Sequence, residues 1–150
     1  MADVRGTYAL VLAMDDETTV EVGKLGICRF PGGFYLYVGS GMGGLFARVR
    51  RHIEKSGKLR WHIDYLRRNT KPVEVWYVIS DQRLECGWVN TAAGMPGART
   101  PVRGFGSSDC GCPSHLLHFA AMPSYVAFRK RLGAAGLGLT RMPLQSPRSD

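Results

Sequence analysis

The segment Phe34-Tyr35-Leu36-Tyr37-Val38-Gly39 lies between two glycine-rich turns at residues 31–33 and 39–41. Aromatic and β-branched residues enclosed by such turns are typical of a β-strand. Two further segments rich in strand-forming residues come before it, at residues 7–14 and 18–25, and the acidic residues between these two predict a hairpin. Because three strands follow one another so closely, the sequence predicts an antiparallel sheet.

Apolar residues at helical spacing follow the third strand. Leu45, Val49 and Ile53 would form one stripe of a helix over residues 44–55. Asp81 is a good N-cap residue and predicts a further helix that begins there and runs towards Ala93. Periodicity and breaker residues predict the remaining elements: helices over 59–69 and 124–132, a strand over 73–79, and a loop over 94–106.

These elements predict an α+β fold in which a small, mostly antiparallel sheet of three or more strands is flanked by helices. A chain of 150 residues is expected to form one domain, which we place at residues 1–132. Residues 133–150 are rich in glycine, alanine and serine and are expected to form a flexible tail. Alternation in the first strand predicts that large and small side chains face opposite sides of the sheet: Tyr8, Leu10 and Leu12 against Ala9 and Val11.

The composition excludes several classes of protein. With 45% hydrophobic and 10% aromatic residues, the chain has the material for a folded core. No apolar run approaches the roughly 20 residues of a membrane span, and none has the features of a signal peptide. Four cysteines are too few for a disulfide scaffold, so we expect a cytoplasmic protein that does not span a membrane.

The positive charge of the chain is concentrated in one segment. The formal net charge is +8, and nine of the 20 basic residues but only two of the 12 acidic residues lie between Arg48 and Lys71. Aromatic residues are interleaved with these charges, which is typical of a surface that contacts a nucleic-acid backbone. A solvated helix face has the same charge pattern, so charge alone does not separate the two interpretations.

Two tripeptides on the first and third strands, Gly6-Thr7-Tyr8 and Tyr37-Val38-Gly39, resemble the signatures of the GIY-YIG nucleases. The spacer between them, 28 residues, is longer than in the core superfamily, and Thr7 and Val38 replace isoleucine at positions that mainly serve the strand. Over residues 5–119 the chain is similar to the Uri-type branch, a domain of unknown function sometimes fused to endonuclease III. Further strings carry this resemblance: Phe34 to Ser40, Arg51-His52, Trp61 to Leu66, Glu85-Cys86, Gly104 to Cys110 and Ser114-His115-Leu116.

The resemblance implies one-metal hydrolysis of a phosphodiester bond and gives five residues a role. Glu85 would bind a single Mg²⁺ or Mn²⁺, cations that prefer oxygen ligands. Arg48 would bind the scissile phosphate, which suits the fork of a guanidinium group. Tyr8 and Tyr37 would position or deprotonate the attacking water, with help from a nearby cation because tyrosine is a weak base. His52 follows Arg48 by one turn, so both could address one phosphate or the attacking water.

Each of these residues also has an ordinary structural interpretation when taken alone: a first-turn acid, a solvated arginine, sheet-packing tyrosines and a structural histidine. His62 belongs to the Trp61 to Leu66 string and could either contact the substrate or orient the second helix. The residues expected to contact nucleic acid are Arg51, Lys55, Lys58, Arg60 and His62.

Cysteine and histidine are concentrated after the predicted loop at residues 94–106, the glycine-rich loop. The string Cys110-x-Cys112-x-x-His115-x-x-His118 offers four potential ligands for a metal. Its spacing is not that of a standard zinc finger, so a structural Zn²⁺ at Cys110, Cys112 and His115 is the less favoured interpretation. The favoured one is that Asp109 and His115 shape or border the active site while the cysteines are packed in the fold, with buried free thiols at Cys28 and Cys86.

The sequence as a whole predicts a metal-dependent endonuclease that acts on nucleic acid. DNA is favoured over RNA, and RNA, single or double strands and a protein partner are left open. A second hypothesis, from another class, is a non-catalytic nucleic-acid-binding module that serves as an adaptor to a DNA repair or restriction partner. The adaptor hypothesis explains the charge but not why Glu85 and the tyrosines accompany it. A third hypothesis is a small domain stabilised by zinc.

Overall fold

The computed structural model describes residues 3–54, 58–107 and 110–144. The described strands are β1 (Gly6–Met14), β2 (Thr18–Glu21), β3 (Ile27–Phe30), β4 (Gly33–Gly41), β5 (Lys71–Ile79), β6 (Leu116–Phe119) and β7 (Thr140–Pro143). The described α-helices are α1 (Leu45–Glu54), α2 (His62–Arg67), α3 (Glu85–Ala93) and α4 (Tyr125–Leu132).

Strand β1 lies at the centre of a five-stranded sheet in the order β6-β4-β1-β5-β7. Every neighbouring pair in this sheet is antiparallel. Strands β2 and β3 form a separate antiparallel hairpin beside it. The α+β class is therefore confirmed, with an antiparallel sheet flanked by helices.

The two faces of the sheet bury two different cores. The large side chains of β1, Tyr8, Leu10 and Leu12, pack in one core with the apolar residues of α1 and α2. Ala9 and Val11 face the other core, where the sheet meets α3 and α4. Full burial of each aliphatic side chain stabilises the fold by roughly 1.5–3 kcal/mol. The alternation predicted for β1 thus decides which of its side chains belong to each core.

The hairpin predicted between the first two strands is wrong in its pairing. Strand β2 pairs with β3, from Thr18 opposite Phe30 to Glu21 opposite Ile27. Both edges of β1 are already bonded, one by β4 and the other by β5, so β2 cannot join the sheet beside it. The short strand β3 has no counterpart among the predicted elements, and residues 23–25 of the predicted second strand form a 3₁₀ turn instead.

The helices agree with the prediction in position but not in every boundary. Helix α1 begins and ends within one residue of its predicted ends, and Ser124 caps α4 by accepting a hydrogen bond from the N–H of Ala127 at 3.0 Å. The prediction that Asp81 caps α3 is wrong, because this helix begins at Glu85. The N–H of Leu84, just before α3, donates instead to the Thr7 hydroxyl at 3.3 Å. None of the helices in the described ranges is long and apolar enough to cross a membrane.

The segment expected to be a flexible tail adds a strand to the sheet. Strand β7 pairs with β5. The prediction of a flexible tail over residues 133–150 is therefore wrong for residues 140–143. The buried carboxylate of Glu74 accepts two hydrogen bonds from Arg141, at 2.7 and 2.9 Å. A third bond to this carboxylate comes from the indole N–H of Trp76 at 2.6 Å. Residues 145–150 of the expected tail lie outside the described residues.

Candidate active site

A polar cleft of about 440 Å³ opens where β1 begins and β4 ends. Residues from both strands, from α1 and from the first turn of α3 contribute to its wall. All five residues to which the sequence assigns a chemical role line this cleft: Tyr8, Tyr37, Arg48, His52 and Glu85. The structure therefore brings them together, while their roles in catalysis stay predictions.

Close packing between β1 and β4 positions the two tyrosines. Tyr8 and Tyr37 lie on the same face of neighbouring strands, with ring centroids 6.4 Å apart. Directly opposite Tyr8 on β4 is Gly39. A Cβ atom at Gly39 would lie 2.5 Å from the Tyr8 hydroxyl, too close for any other residue without displacement of the ring. The glycine that ends the second tripeptide thus makes room for the tyrosine that ends the first.

His52 lies behind the tyrosines and is only 2% exposed. Its Nε2 atom is 2.7 Å from the Tyr8 hydroxyl, and its ring packs against Tyr37 and Trp61. Burial, with smaller contributions from the nearby arginines, first among them Arg48, lowers the pKa of His52 from 6.5 to about 3. Its buried ring contacts the Tyr8 hydroxyl, and the expectation that it addresses a phosphate or the attacking water stays a prediction.

Both tyrosines are protonated at neutral pH. Burial raises the pKa of Tyr8 well above its ordinary value of 10, and burial raises that of Tyr37 to about 12. The positive charge of Arg48 acts in the opposite direction on both hydroxyls but is the smaller effect. Arg48 is thus the neighbouring cation that the sequence predicts for both hydroxyls. Its charge alone does not lower the pKa of either tyrosine enough to make it a base at neutral pH.

Arg48 lies at the rim of the cleft, one turn before His52 on α1. Its guanidinium group stacks 4.3 Å above the ring of Trp61, and its Nη1 donates to the carbonyl oxygen of Ser40 at 3.2 Å. These contacts fix the plane of a group that carries five N–H donors. Trp61 is a contributor that sequence reasoning missed, although it is part of the string that carries the family resemblance.

Glu85 is the first residue of α3 and presents a carboxylate to the cleft, with 16% of its side chain exposed. The Ser40 hydroxyl donates to Oε2 of Glu85, while Oε1 lies 4.0 Å from the Arg83 guanidinium. A single carboxylate beside a hydroxyl fits a hard divalent cation, which keeps several of its waters. The sequence singled out Glu85 but gave no role to Ser40, which ends the string of residues 34–40.

The expected nucleic-acid contacts separate into exposed and internally bonded residues. Lys58 and Arg60 are exposed, and the Arg60 guanidinium lies 6.0 Å from the ring centroid of Trp61, which lines the cleft. Lys55 lies outside the described residues. Arg51 donates to Asp64 at 2.9 Å and to the carbonyl of Lys58 at 3.0 Å, so its guanidinium group is engaged within the protein. This pairing supports α2 rather than leaving Arg51 open to a ligand.

His62 connects α2 to the glycine-rich loop. Its Nδ1 atom accepts a hydrogen bond from the N–H of Gly106 at 2.8 Å, and its ring packs against buried Phe105. Of the two alternatives for His62, this hydrogen bond supports the one in which His62 orients the second helix. Phe105 in turn packs against Tyr37, so this loop supports the wall of the cleft.

One member of the basic segment is not on the surface. Arg67 is 2% exposed, and its guanidinium group donates to the carbonyls of His52, Ile53 and Thr70. The first two carbonyls belong to the last turn of α1, which lacks helical partners for them. Burial lowers the pKa of Arg67 to about 10, which leaves it charged at neutral pH. Arg67 therefore holds two helices together and does not belong to a ligand-binding surface.

Three cysteines and a histidine meet beside Glu85. The ligand atoms of Cys86, Cys110, Cys112 and His115 all lie within 4.8 Å of one another, a set that could bind a metal ion. Cys86, at the start of α3, takes the place in this cluster that the sequence assigned to His118. His118 is 2.9 Å from the carbonyl of Gly32 and packs on Tyr35 instead.

The prediction of packed cysteines is correct only in part. Of the two residues predicted to border the active site, His115 lines the cleft, and Asp109 lies outside the described residues. Cys28 is buried, as predicted. The prediction of a buried thiol at Cys86 is wrong, because Cys86 is half-buried and belongs to the cluster, as does half-buried Cys112, while Cys110 is exposed. Sequence reasoning missed Cys86 because it is distant from the other three along the chain, and its one signal was its position next to Glu85.

The fold and the cleft define an α+β domain with a polar site at one end of its central sheet. A family model described as "Domain of unknown function DUF123" matches residues 7–135, and the chain belongs to this family. No curated protein and no solved structure matches the chain significantly.

Proposed function

We propose that the chain is a metal-dependent endonuclease of the GIY-YIG type, in the Uri-type branch, that hydrolyses phosphodiester bonds in DNA. The observation that carries this proposal is the meeting of five residues at one cleft. They come from two strands and two helices: Tyr8, Tyr37, Arg48, His52 and Glu85.

Tyr8 is the residue that we assign to the attacking water. When its hydroxyl donates to the neutral imidazole of His52, the lone pairs of its oxygen can accept a hydrogen bond from water. Because burial keeps the Tyr8 hydroxyl protonated, it can take a proton from the water only as it passes its own proton to His52. Tyr8 and His52 therefore act as a pair, in which His52 orients the hydroxyl and receives its proton.

Arg48 links substrate binding to the properties of this pair. Its positive charge is one of the causes that lower the pKa of His52 in the free protein. A phosphate bound to Arg48 brings negative charge, which offsets this effect and raises the pKa of His52 in the complex. The histidine accepts a proton more readily when the substrate is present. The guanidinium group also stabilises the negative charge that the phosphate gains in the transition state.

Glu85 is the residue that would hold the divalent cation. The hydrogen bond from Ser40 orients its carboxylate towards the cleft that Arg48 also lines. A bound Mg²⁺ or Mn²⁺ would supply charge stabilisation to the leaving oxygen. Tyr37, whose ring lies between Tyr8 and the loop at Phe105, closes the wall on the other side and excludes bulk water from the pair.

The charge of the chain supports DNA as the substrate. Exposed Arg60 lies over Trp61 of the cleft wall, and exposed Lys58 comes two residues before it, in a chain with a formal net charge of +8. Contacts of this kind bind the phosphate backbone and carry no sequence information. We therefore expect cleavage with little sequence preference, and a protein partner would supply any strong preference. A cytoplasmic location fits this function.

The test is a cleavage assay with end-labelled single- and double-stranded DNA of identical sequence, with Mg²⁺ or Mn²⁺ added to the purified chain. We expect the wild type to cut at least one of the two and the variants Glu85→Gln and Arg48→Ala to lose cleavage. Matched controls are Glu21→Gln and Arg29→Ala, which change exposed residues of the β2–β3 hairpin.

Cleavage that persists in both cleft variants would contradict the proposal. Tight binding to DNA with a steep dependence on salt, and no cleavage with any divalent cation, would favour the adaptor hypothesis instead. Circular dichroism of each variant checks that a loss of cleavage is not a loss of the fold.

A further inference from the structure

The cysteine–histidine cluster beside the cleft joins three separate parts of the chain. Cys86 lies in the first turn of α3, Cys110 and Cys112 lie in the segment that follows the glycine-rich loop, and His115 lies just before β6. The Cys86 and Cys112 sulfur atoms are 2.8 Å apart, and the Cys110 sulfur is 3.2 Å from Nε2 of His115.

The arrangement fits the dimensions of a tetrahedral metal site. Zn²⁺ binds thiolate sulfur at about 2.3 Å and imidazole nitrogen at about 2.0–2.1 Å, so ligand atoms around one ion lie roughly 3.5–3.8 Å from one another. In the cluster, all four ligand atoms lie within 4.8 Å of one another. Small rotations of the side chains are enough to place them around one ion. A set of three cysteines and one histidine is also typical of structural zinc.

The chemistry of the ligands selects among metals. Thiolate sulfur is a soft ligand, which favours Zn²⁺ over Mg²⁺ or Mn²⁺, whereas the carboxylate of Glu85 has the opposite preference. The cluster and Glu85 would therefore bind different ions although they are neighbours in the chain. We propose that Cys86, Cys110, Cys112 and His115 form a closed structural site for one Zn²⁺ ion.

The place of this site in the fold indicates what the ion does. Four protein ligands leave no position for a reacting water, so the ion is structural. It cross-links the helix that begins at Glu85 to residues 110–115, which come directly before β6. The ion would thus hold the start of α3 at the cleft. The binding of zinc stands independently of the proposed nuclease activity, and only its effect on cleavage rests on that proposal.

The experiment measures metal directly on the full chain, purified under reducing conditions without chelator. We expect one equivalent of zinc per chain by elemental analysis in the wild type, and a strong loss in Cys112→Ser and in His115→Ala. The matched control is Cys28→Ser, which removes the buried thiol outside the cluster and should keep its zinc. Replacement of the ion by Co²⁺ should produce thiolate-to-metal charge-transfer bands and the intense visible bands of tetrahedral cobalt.

A wild-type chain that holds no zinc as purified, and that shows no cobalt–thiolate bands after anaerobic reconstitution, would overturn the proposal. A mass lower by two hydrogen atoms in the protein purified without reductant, with a Cys86–Cys112 cross-link found by peptide mapping and no metal after reduction, would also overturn it in favour of a disulfide. If a ligand variant fails to fold, the cobalt spectrum of the wild type still decides. None of these readouts requires cleavage of DNA, so the failure of one proposal is distinguishable from the failure of the other.

Discussion

The hydroxyl of Tyr8 lies 2.7 Å from Nε2 of His52, although the two residues are 44 positions apart in the chain. Tyr8 belongs to the central strand and His52 to the helix that follows β4, so this hydrogen bond joins the sheet to α1 beneath the cleft. Nδ1 of His52 has no hydrogen-bond partner among the described residues. His52 therefore forms one buried hydrogen bond, through Nε2 to Tyr8, while its Nδ1 forms none with the described residues.

Removing the Tyr8 hydroxyl should abolish most of the cleavage that we propose. The variant Tyr8→Phe keeps the ring but has no group that can take a proton from the attacking water. We expect the cleavage rate to fall roughly 10²- to 10⁴-fold, the usual contribution of a general acid–base group. Single-turnover cleavage of labelled DNA measures this. Tyr125→Phe, a tyrosine packed on the opposite face of the sheet, is the matched control, and an equal rate in both variants would contradict the role.

Stability should fall on acidification because of His52. Its pKa is about 3 in the folded chain and 6.5 when exposed, so below pH 6.5 the unfolded chain binds a proton that the folded chain does not. The free energy of unfolding therefore decreases as the pH falls from 6.5 towards 3. The loss due to His52 at pH 5 is about 2 kcal/mol.

Urea unfolding of the wild type and of His52→Gln between pH 7 and pH 5 tests this. His62 and His115 have lowered pKa values through burial and contribute in the same direction in both proteins, so the difference between the two slopes isolates His52. Equal slopes would show that His52 is already protonated in the fold.

Gly39 should not tolerate even a methyl group. The added Cβ of Gly39→Ala would press on the Tyr8 hydroxyl and force the ring to move. We expect a loss of about 1–3 kcal/mol in the free energy of unfolding, together with a loss of cleavage. The urea midpoint measures the first effect. Gly43→Ala, where no atom lies within 4 Å of the added carbon, should be nearly neutral.

Arg67 should matter for stability and not for binding. The variant Arg67→Met leaves the carbonyls of His52, Ile53 and Thr70 without their buried donor. We expect the free energy of unfolding to fall by about 2–4 kcal/mol. The neighbouring Arg68 is exposed, and Arg68→Met should change stability by less than about 0.5 kcal/mol. If the two variants were equally stable, Arg67 would not be the link between α1 and α2.

Lys58 and Arg60 should contribute to DNA binding through charge alone. In a Glu85→Gln background, the double variant Lys58→Ala/Arg60→Ala should weaken binding and reduce the slope of log K against log salt by about 1–2. Fluorescence anisotropy with a labelled duplex measures this slope. The control is Arg129→Ala/Lys130→Ala on α4, which removes the same charge from the other side of the sheet. A slope that drops equally in both would indicate general electrostatic attraction.

Local patterns predicted the parts of the fold that depend on neighbouring residues. Alternation in β1 and the helical stripe of α1 each reflect which face is buried, and both agree with the structure. The pairing of β2 and the docking of β7 were not predictable in this way. They depend on which strand edges remain open after β4 and β5 have bonded to β1, and that is a property of the assembled sheet.

The sequence by itself determined the α+β class and the concentration of basic charge. Its family resemblance singled out the five residues that the structure brings to one cleft: Tyr8, Tyr37, Arg48, His52 and Glu85. Only the tertiary structure decided that Arg67 is buried and that Cys86, in place of His118, joins Cys110, Cys112 and His115. The physical reason is distance along the chain. Spacing reveals which residues share a face of one element, whereas contacts between elements depend on packing that no local pattern records.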